Sequence, residues 1–350
     1  MDEPQTEPSG SQRRRRLGSS DLEVTAFGFG TAPLGEHKML VPEAAAEETL
    51  EAAFQSGIRY FDTAPFYGYG LAEHRVGRFL RQGPRSECVF STKVGRLLRP
   101  RRAADQGPRP FKGGLEFEPV FDYSYAGTMR SIEDSLQRLG LARIDIALIH
   151  DIDRWTHGDA FPARLREALD GAYPALCRLR SEGVVAAIGI GVNEVQTCLD
   201  FAEHGELDCI MLAGRYTLLE QDAIEKLLPL CAQRKISLLV AAPFNSGILA
   251  TGSVENAQYN YRPAPPEVLG RVRSIEAVCG EYDVPLAAAA LQFPLGHPAV
   301  ASVVAGAVSA VEVERNRVLM HHPVPLDFWL DLKSRGLLHP DAPTPAGKSE

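Results

Sequence analysis

The sequence predicts an α/β fold in which eight strand–helix units close into a parallel (β/α)8 barrel, with an N-terminal hairpin and a long loop after the third strand. Three observations support this. Strand-like and helix-like patterns alternate eight times between Ala26 and the segment that follows Ser309. The run Ile144–His150 is nearly all apolar, as a strand covered on both faces must be. No composition shift marks a second domain, and a doubly wound nucleotide fold would want a third glycine where Gly28-Phe-Gly30-Thr-Ala-Pro33 has proline.

In chain order, residues 17–24 form a predicted strand pair around a Ser-Ser-Asp turn. Core strands are then expected at 26–31, 59–62, 88–93, 144–150, 187–192, 209–213, 236–242 and 301–305. Helices are expected at 43–55, 72–81, 125–139, 160–181, 195–204, 222–233, 267–281 and 286–293, with one more starting near Ser309. Ile132, Leu136 and Leu139 illustrate the helical spacing. The stretch 96–122, rich in Arg, Pro and Gly, is too long for an ordinary connection and is expected to be a lid or disordered. The expected organisation is a polar, basic, disordered tail at 1–16, one barrel domain at 17–322 and a C-terminal extension at 323–350. The extension holds an apolar stretch at 326–332 ahead of a disordered end.

At 350 residues, with 45% apolar and 23% charged side chains, the chain has the profile of a soluble globular protein. A net charge of -8 argues against a nucleic-acid binder, and no apolar run reaches the ~18 residues of a membrane helix. The four arginines at 13–16 lack an apolar segment behind them, so they are read as a solvated tail rather than a secretion signal. Six scattered cysteines form no Cys-x-x-Cys pair, which suits a reducing, cytoplasmic setting and no metal site.

In barrels of this kind the reacting groups stand at the carboxyl ends of strands. Asp62, Lys93 and His150 end the second, third and fourth strands, and Tyr67 follows in the glycine-rich loop Phe66-Tyr-Gly-Tyr-Gly70. A phenol has a pKa of about 10, too high for proton exchange at neutral pH. An adjacent ammonium would lower it, a carboxylate would keep that ammonium charged and oriented, and a histidine can bond a substrate oxygen. Such a set moves a proton to or from a carbinol oxygen while a cofactor carries hydride.

From residue 17 to about 320 the sequence resembles the aldo-keto reductase superfamily of TIM-barrel enzymes. The matching strings are Phe61-Asp62-Thr63-Ala64 with Tyr67-Gly68, Ser91-Thr92-Lys93 and Leu148-Ile149-His150, with residues 189–192, 243–249, Gly306-Ala307 and Asn316 also fitting. The resemblance implies the tetrad Asp62, Tyr67, Lys93 and His150, with Tyr67 as proton donor or acceptor. It also implies a nicotinamide dinucleotide held by Gly30, Thr31, Asp62, Asn193, Phe244, Asn245, Gly306, Glu312 and Asn316. Asn193-Glu194 stands for the usual Ser-Asn, Ala213 for a glutamine, and Ala241 for the ring-stacking aromatic, leaving Phe244 or Tyr216 to stack.

Local strings at 150–157, 212–221 and 243–249 resemble the branch that includes D-threo-aldose 1-dehydrogenase, L-fucose dehydrogenase and pyridoxal 4-dehydrogenase. The resemblance thus implies oxidation of an aldose at C1 to a lactone. The alternatives are pyridoxal oxidation, general aldehyde or ketone reduction, and, in another class, a cofactor-binding regulatory subunit. A small sugar, aldehyde or alcohol is the expected partner of a monomer or small homo-oligomer. Phe66, Tyr69, Trp155 and Arg215, with Asp153, are the candidate substrate contacts. NAD is the expected cofactor, with NADP as the alternative. The positions where relatives place phosphate-binding side chains hold Gly306, Ala307 and Glu312, and a carboxylate there suits free ribose hydroxyls.

Overall fold

Eight parallel strands close on themselves: β1 (Phe27–Gly30), β2 (Tyr60–Asp62), β3 (Val89–Val94), β4 (Ile144–His150), β5 (Val185–Val192), β6 (Cys209–Ala213), β7 (Ser237–Ala241) and β8 (Val300–Gly306). Each pairs with the next in sequence, and β8 returns to β1 with Val303 opposite Phe27. The computed structural model describes residues 13–102, 104–105, 107 and 109–346. The expected tail over 1–12 therefore lies outside the described residues, as do 347–350.

Side chains alternate between the two faces of each strand, and that period of two separates two cores. Phe61, Phe90, Ala147, Ile149, Ile188, Ile190, Leu212 and Val240 face outward into the layer between sheet and helices. Tyr60, Ile146, Leu148, Ala187, Cys209, Met211 and Leu239 fill the barrel interior. Asp62, Lys93 and His150 continue these inward rows, each lying two residues beyond Tyr60, Ser91 and Leu148 respectively. The rows that pack the interior thus end in Asp62, Lys93 and His150.

The helices pack outside, among them Glu43–Gln55, Leu71–Gln82, Tyr125–Leu139 and Val195–His204. The expected long helix at 160–181 is interrupted by a π turn at Ala168–Ala172, where Gly171 lies against the backbone of Tyr123 and Tyr125. The expected helix at 222–233 is a 3-10 turn, Asp222–Ile224, followed by a helix at Leu227–Arg234.

The structure corrects the expected boundaries at both ends. Arg14–Arg16 is a strand paired antiparallel with Glu23–Thr25, so the hairpin begins inside the segment assigned to the tail. Arg15 donates to the carbonyls of Leu295 and Val300, Gly18 N–H donates to Ser237 Oγ at 2.7 Å, and Leu17 and Val24 are wholly buried at the barrel floor. At the other end, Leu326–Ser334 is a helix whose Phe328, Trp329 and Leu332 join the outer core, and Leu338 and Ala342 beyond it are buried too. The extension belongs to the barrel body.

The loop after β3 is ordered around a hairpin, Arg96–Pro100 with Phe117–Phe121. Its tip is tied to the barrel mouth by Leu115 N–H on Gly68 O (2.9 Å) and Lys112 N–H on Glu36 O (3.1 Å). All six cysteines are free thiols. Among the described residues no helix is long and apolar enough to cross a membrane, and no group of side chains could hold a metal ion.

Candidate active site

The ends of β2, β3 and β4 bring Asp62, Lys93 and His150 together beneath the loop that carries Tyr67. Lys93 Nζ donates to both carboxylate oxygens of Asp62 at 2.7 Å and to Thr63 O at 2.9 Å. Both residues are almost fully enclosed, at 2% and 3% exposure, so the charges depend on each other rather than on water. Beneath them Ser91 Oγ donates to Asp62 Oδ1 at 2.6 Å and lies 2.9 Å from Tyr60 OH, so the interior row also fixes the carboxylate. Burial pushes the Tyr60 phenol well up, which keeps it a donor.

Tyr67 is placed by an unusual turn. Gly68, Tyr69 and Gly70 have φ of 64°, 56° and 102°, and a Cβ on Gly68 would stand 2.8 Å from Gly35 O, so glycine is required there. The turn lays the Tyr67 ring 4.7 Å from Lys93 Nζ and edge-on to the His150 ring at 5.9 Å. Phe111, from the long loop, covers Tyr67, Phe66 and Tyr69 with centroids 6.0, 5.2 and 5.8 Å away.

The electrostatics differ from the expectation for Tyr67. Its pKa is raised well above the ordinary phenol value, first by burial and then by the carboxylates of Asp62 and Asp151, with Arg96 opposing. The ammonium of Lys93 does not win because Asp62 already neutralises it. Tyr67 rests as a neutral phenol. His150 is pushed the other way, well below its ordinary value, by burial and then by the nearby Lys93 and Arg96, so it is a neutral imidazole. Its Nδ1 is buried without a partner, whereas Nε2 lies 3.5 Å from Asp151 Oδ2. Those surroundings assign the proton to Nε2.

A second group of expected residues surrounds a cavity of about 300 Å3 lined by Phe244, Thr251, Glu276, Arg315, Asn316 and Leu319, among others. Among the described residues Asn316 Oδ1 is buried without a partner at this cavity; Asn245 Oδ1, outside its lining, is likewise unpartnered, while Asn245 Nδ2 donates to Gly214 O at 3.0 Å. Between the two groups, Gly30 and Gly306 pair across β1 and β8, and a Cβ on Gly306 would meet Pro33 at 2.6 Å. Thr31 donates its hydroxyl to Asp62 O at 2.9 Å, fixing the chain beside the mouth.

Several expected contacts have other work. Tyr69 is 2% exposed and wedged between Phe66, Phe111 and Arg109, so it packs the loop instead of facing the mouth. Tyr216 is wholly buried against Phe293 and His297, leaving Phe244 as the aromatic beside the cavity. Asp153 caps the short helix Arg154–His157 and accepts from Asn193 N–H at 2.8 Å. Arg215 ties the end of β5 to the loop after β7 through Asn193 O and Asn260 Oδ1, while Trp155, 49% exposed, stands 5.9 Å from its guanidinium at the rim. Asn193 directs its amide N–H2 at Asp151 and Asp153 (3.2 and 3.1 Å). Glu312 closes its own helix turn: Oε2 accepts from Val308 N–H at 2.9 Å, and Ser309 Oγ accepts from Glu312 N–H at 3.3 Å.

Sequence reasoning assigned no role to Ser91, Arg96, Phe111 or Asp151. Two of them carried a signal: Ser91 lies two residues before Lys93 on the same side of its strand, and Asp151 immediately follows the strand-ending histidine. The pattern described as the aldo/keto reductase family matches residues 26–334. This chain belongs to the aldo/keto reductase family. Among its relatives, the pyridoxal 4-dehydrogenase of Microbacterium luteolum is 45% identical over 94% of this chain and 98% of its own length. The D-threo-aldose 1-dehydrogenase of a Pseudomonas species is 40% identical over 93% and 97%. The holo form of an aldo-keto reductase from Bacillus halodurans superposes with a TM-score of 0.73, at 27% identity over 94% of this chain and 97% of that one. As an aldo/keto reductase, the chain is an oxidoreductase whose family works with NAD(P)H.

Proposed function

We propose that this protein is a dinucleotide-dependent dehydrogenase that oxidises an aldose at C1 to its lactone, with Asp62, Tyr67, Lys93 and His150 as the reacting set. The observation that carries the reading is the meeting of a phenol, a paired ammonium and a neutral imidazole at one barrel mouth. Support for the sugar comes from the aldose-acting relative; the pyridoxal-acting relative keeps that aldehyde as the second reading.

The dinucleotide, when bound, supplies or accepts the hydride. The residues present fit such a group: the cavity at Asn316 and Arg315 has the size for an adenosine, and Asn316 Oδ1 and Asn245 Oδ1 are acceptors without a partner among the described residues. The chain's own residues handle the proton. In carbonyl reduction Tyr67 gives its phenolic proton to the substrate oxygen while His150 Nε2–H donates to the same oxygen and holds it in place. In carbinol oxidation Tyr67, which is only partly buried, first loses that proton to solvent, and its phenolate, with Lys93 Nζ 4.7 Å from the ring, then accepts the carbinol proton. Phe111 lies over this ring from the long loop.

NAD is the preferred partner in this reading. Glu312 lies one helical turn before Asn316, on the same face, and keeps one carboxylate oxygen clear of the Val308 bond. Gly306 and Ala307 bring no cation to offset it; Arg315 at the cavity wall is the opposing charge. The test follows dinucleotide absorbance against a panel of aldoses, pyridoxal and simple aldehydes with both cofactors. Turnover of pyridoxal or simple aldehydes without any aldose would overturn the sugar reading, and no turnover at all would favour a regulatory, cofactor-binding role.

A further inference from the structure

Beside the reacting set stands a polar couple that the proton chemistry does not use. Asp151 follows His150 directly and is held at φ 49°, in the left-handed region that Asp enters more readily than most residues. Its N–H bonds Gly191 O at 2.8 Å, which fixes the turn and points the carboxylate back over the mouth toward His150. Oδ2 is ion-paired with Arg96, and Oδ1 accepts from Asn193 Nδ2 at 3.2 Å. Arg96 is itself clamped between the rings of Phe66 (3.9 Å) and Phe121 (4.6 Å), so the pair is held in place from two loops.

The hydrogen bonding of this couple is incomplete. An ionised carboxylate has about four acceptor positions, and Arg96 and Asn193 take two of Asp151's. Arg96 Nε is buried without a partner among the described residues. Two acceptor positions on Asp151 and the Arg96 Nε–H therefore remain, and the carboxylate lies beside the point where His150 Nε2 would meet a substrate oxygen, since Asp151 Oδ2 is only 3.5 Å from that nitrogen. A second oxygen on the neighbouring carbon of such a substrate would fall within reach of that carboxylate.

We propose that Asp151 and Arg96 read an oxygen on the carbon adjacent to the reacting carbon, so that the enzyme selects substrates in which the carbinol or carbonyl has a neighbouring hydroxyl. A hydroxyl on that carbon donates to Asp151, whose carboxylate Arg96 holds in place. The class includes aldopyranoses, through their C2 hydroxyl, and ortho-hydroxy aromatic aldehydes. Substrates lacking that oxygen leave a charged pair desolvated and incompletely bonded, which is how polar sites reject analogues. The inference rests on the oxidoreductase reading above and names the substrate class for it.

The experiment compares kcat/KM for two matched pairs, 2-hydroxybenzaldehyde against benzaldehyde and an aldopyranose against its 2-deoxy counterpart, in the parent and in Asp151→Asn. The parent should favour the hydroxylated member roughly ten- to a hundredfold, the value of a hydrogen bond to a charged group. Asp151→Asn should bring each ratio to within about threefold of unity, mainly through KM for the hydroxylated member. Equal use of both members by the parent overturns this inference and leaves the oxidoreductase reading intact. Failure of the parent to turn over any member with either cofactor defeats both. A uniform fall in kcat with the ratios preserved would mean that Asp151 only positions His150, and overturns the inference. Should Asp151→Asn not fold, Asp151→Glu displaces the carboxylate by one methylene and should also narrow the ratios; unchanged ratios would refute the proposal.

Discussion

Replacing Asp62 with Asn tests the most enclosed charge pair in the molecule. The change is nearly isosteric and keeps an acceptor for the Ser91 hydroxyl, but it leaves the Lys93 ammonium without a counter-charge. With side chains only 2% and 4% exposed, Lys93 and Asp62 have almost no water to fall back on. Breaking one member of such a pair costs about 3–5 kcal/mol. Adding Lys93→Met removes the stranded charge and retains most of the stem volume, so the double variant should recover to within about 2 kcal/mol of the parent. Urea unfolding followed by tryptophan fluorescence reads both, since the two tryptophans lie at the rim (Trp155) and in the outer core (Trp329). Turnover should be lost in both variants, separating stability from chemistry. If Asp62→Asn costs less than about 1 kcal/mol, or if the double variant is destabilised by the sum of the single ones, the charges are not coupled as described.

Tyr67→Phe should lower kcat by roughly 10²–10⁴ with the unfolding midpoint unchanged, measured by dinucleotide absorbance and urea titration; near-parental turnover would exclude Tyr67 as the proton-handling group. Because Tyr67 is shifted up and His150 down, both stay neutral across neutral pH. Carbonyl reduction should therefore be flat between about pH 6 and 8, while carbinol oxidation, which needs the phenolate, should climb with pH; an acid limb near the ordinary histidine value would contradict the neutral His150. Phe111→Ala should raise KM about tenfold by opening the mouth, and an unchanged KM would show that Phe111 is not a cover. Glu312→Arg should shift the kcat/KM ratio toward NADP by tenfold or more and cost about 1 kcal/mol through the lost helix cap; an unmoved cofactor ratio would clear Glu312 of any part in that choice.

The strands and the convergence of Asp62, Lys93 and His150 on the barrel mouth were legible in the sequence for the same reason. Period-two patterning puts Tyr60 and Asp62, Ser91 and Lys93, and Leu148 and His150 on one side of their strands, so these groups inherit their direction from the packing. Helix starts were legible where a cap announced them, as Ser309 does for Ala310–His321. The lid residue Phe111 was not legible, because a loop has no period and its tip is set by Gly68 and Glu36, far off in sequence. Nor was the resting state of Tyr67. Sequence placed a lysine beside it, but only the distances show that Asp62 claims the ammonium first. The roles expected of Tyr69 and Tyr216 fell to burial, since a conspicuous aromatic in a motif is as readily a packing side chain. The basic run at 13–16 resembled a tail because the partners of Arg15 are main-chain carbonyls some 280 residues away.

Those distant partners impose an order on how the barrel can be made. The floor hairpin is synthesised before all eight barrel strands, yet Arg15 closes on Leu295 and Val300, 280 and 285 residues later. Until β8 has emerged, Leu17 and Val24 have no floor to seal, and β1 and β7 present open edges. A nascent chain stalled before residue 300 thus combines two unpaired sheet edges with a loose apolar hairpin, the state in which intermolecular strand pairing is most available. Completion of the last strand is what closes that window, so the exposure to aggregation lasts from the emergence of the hairpin to that of β8.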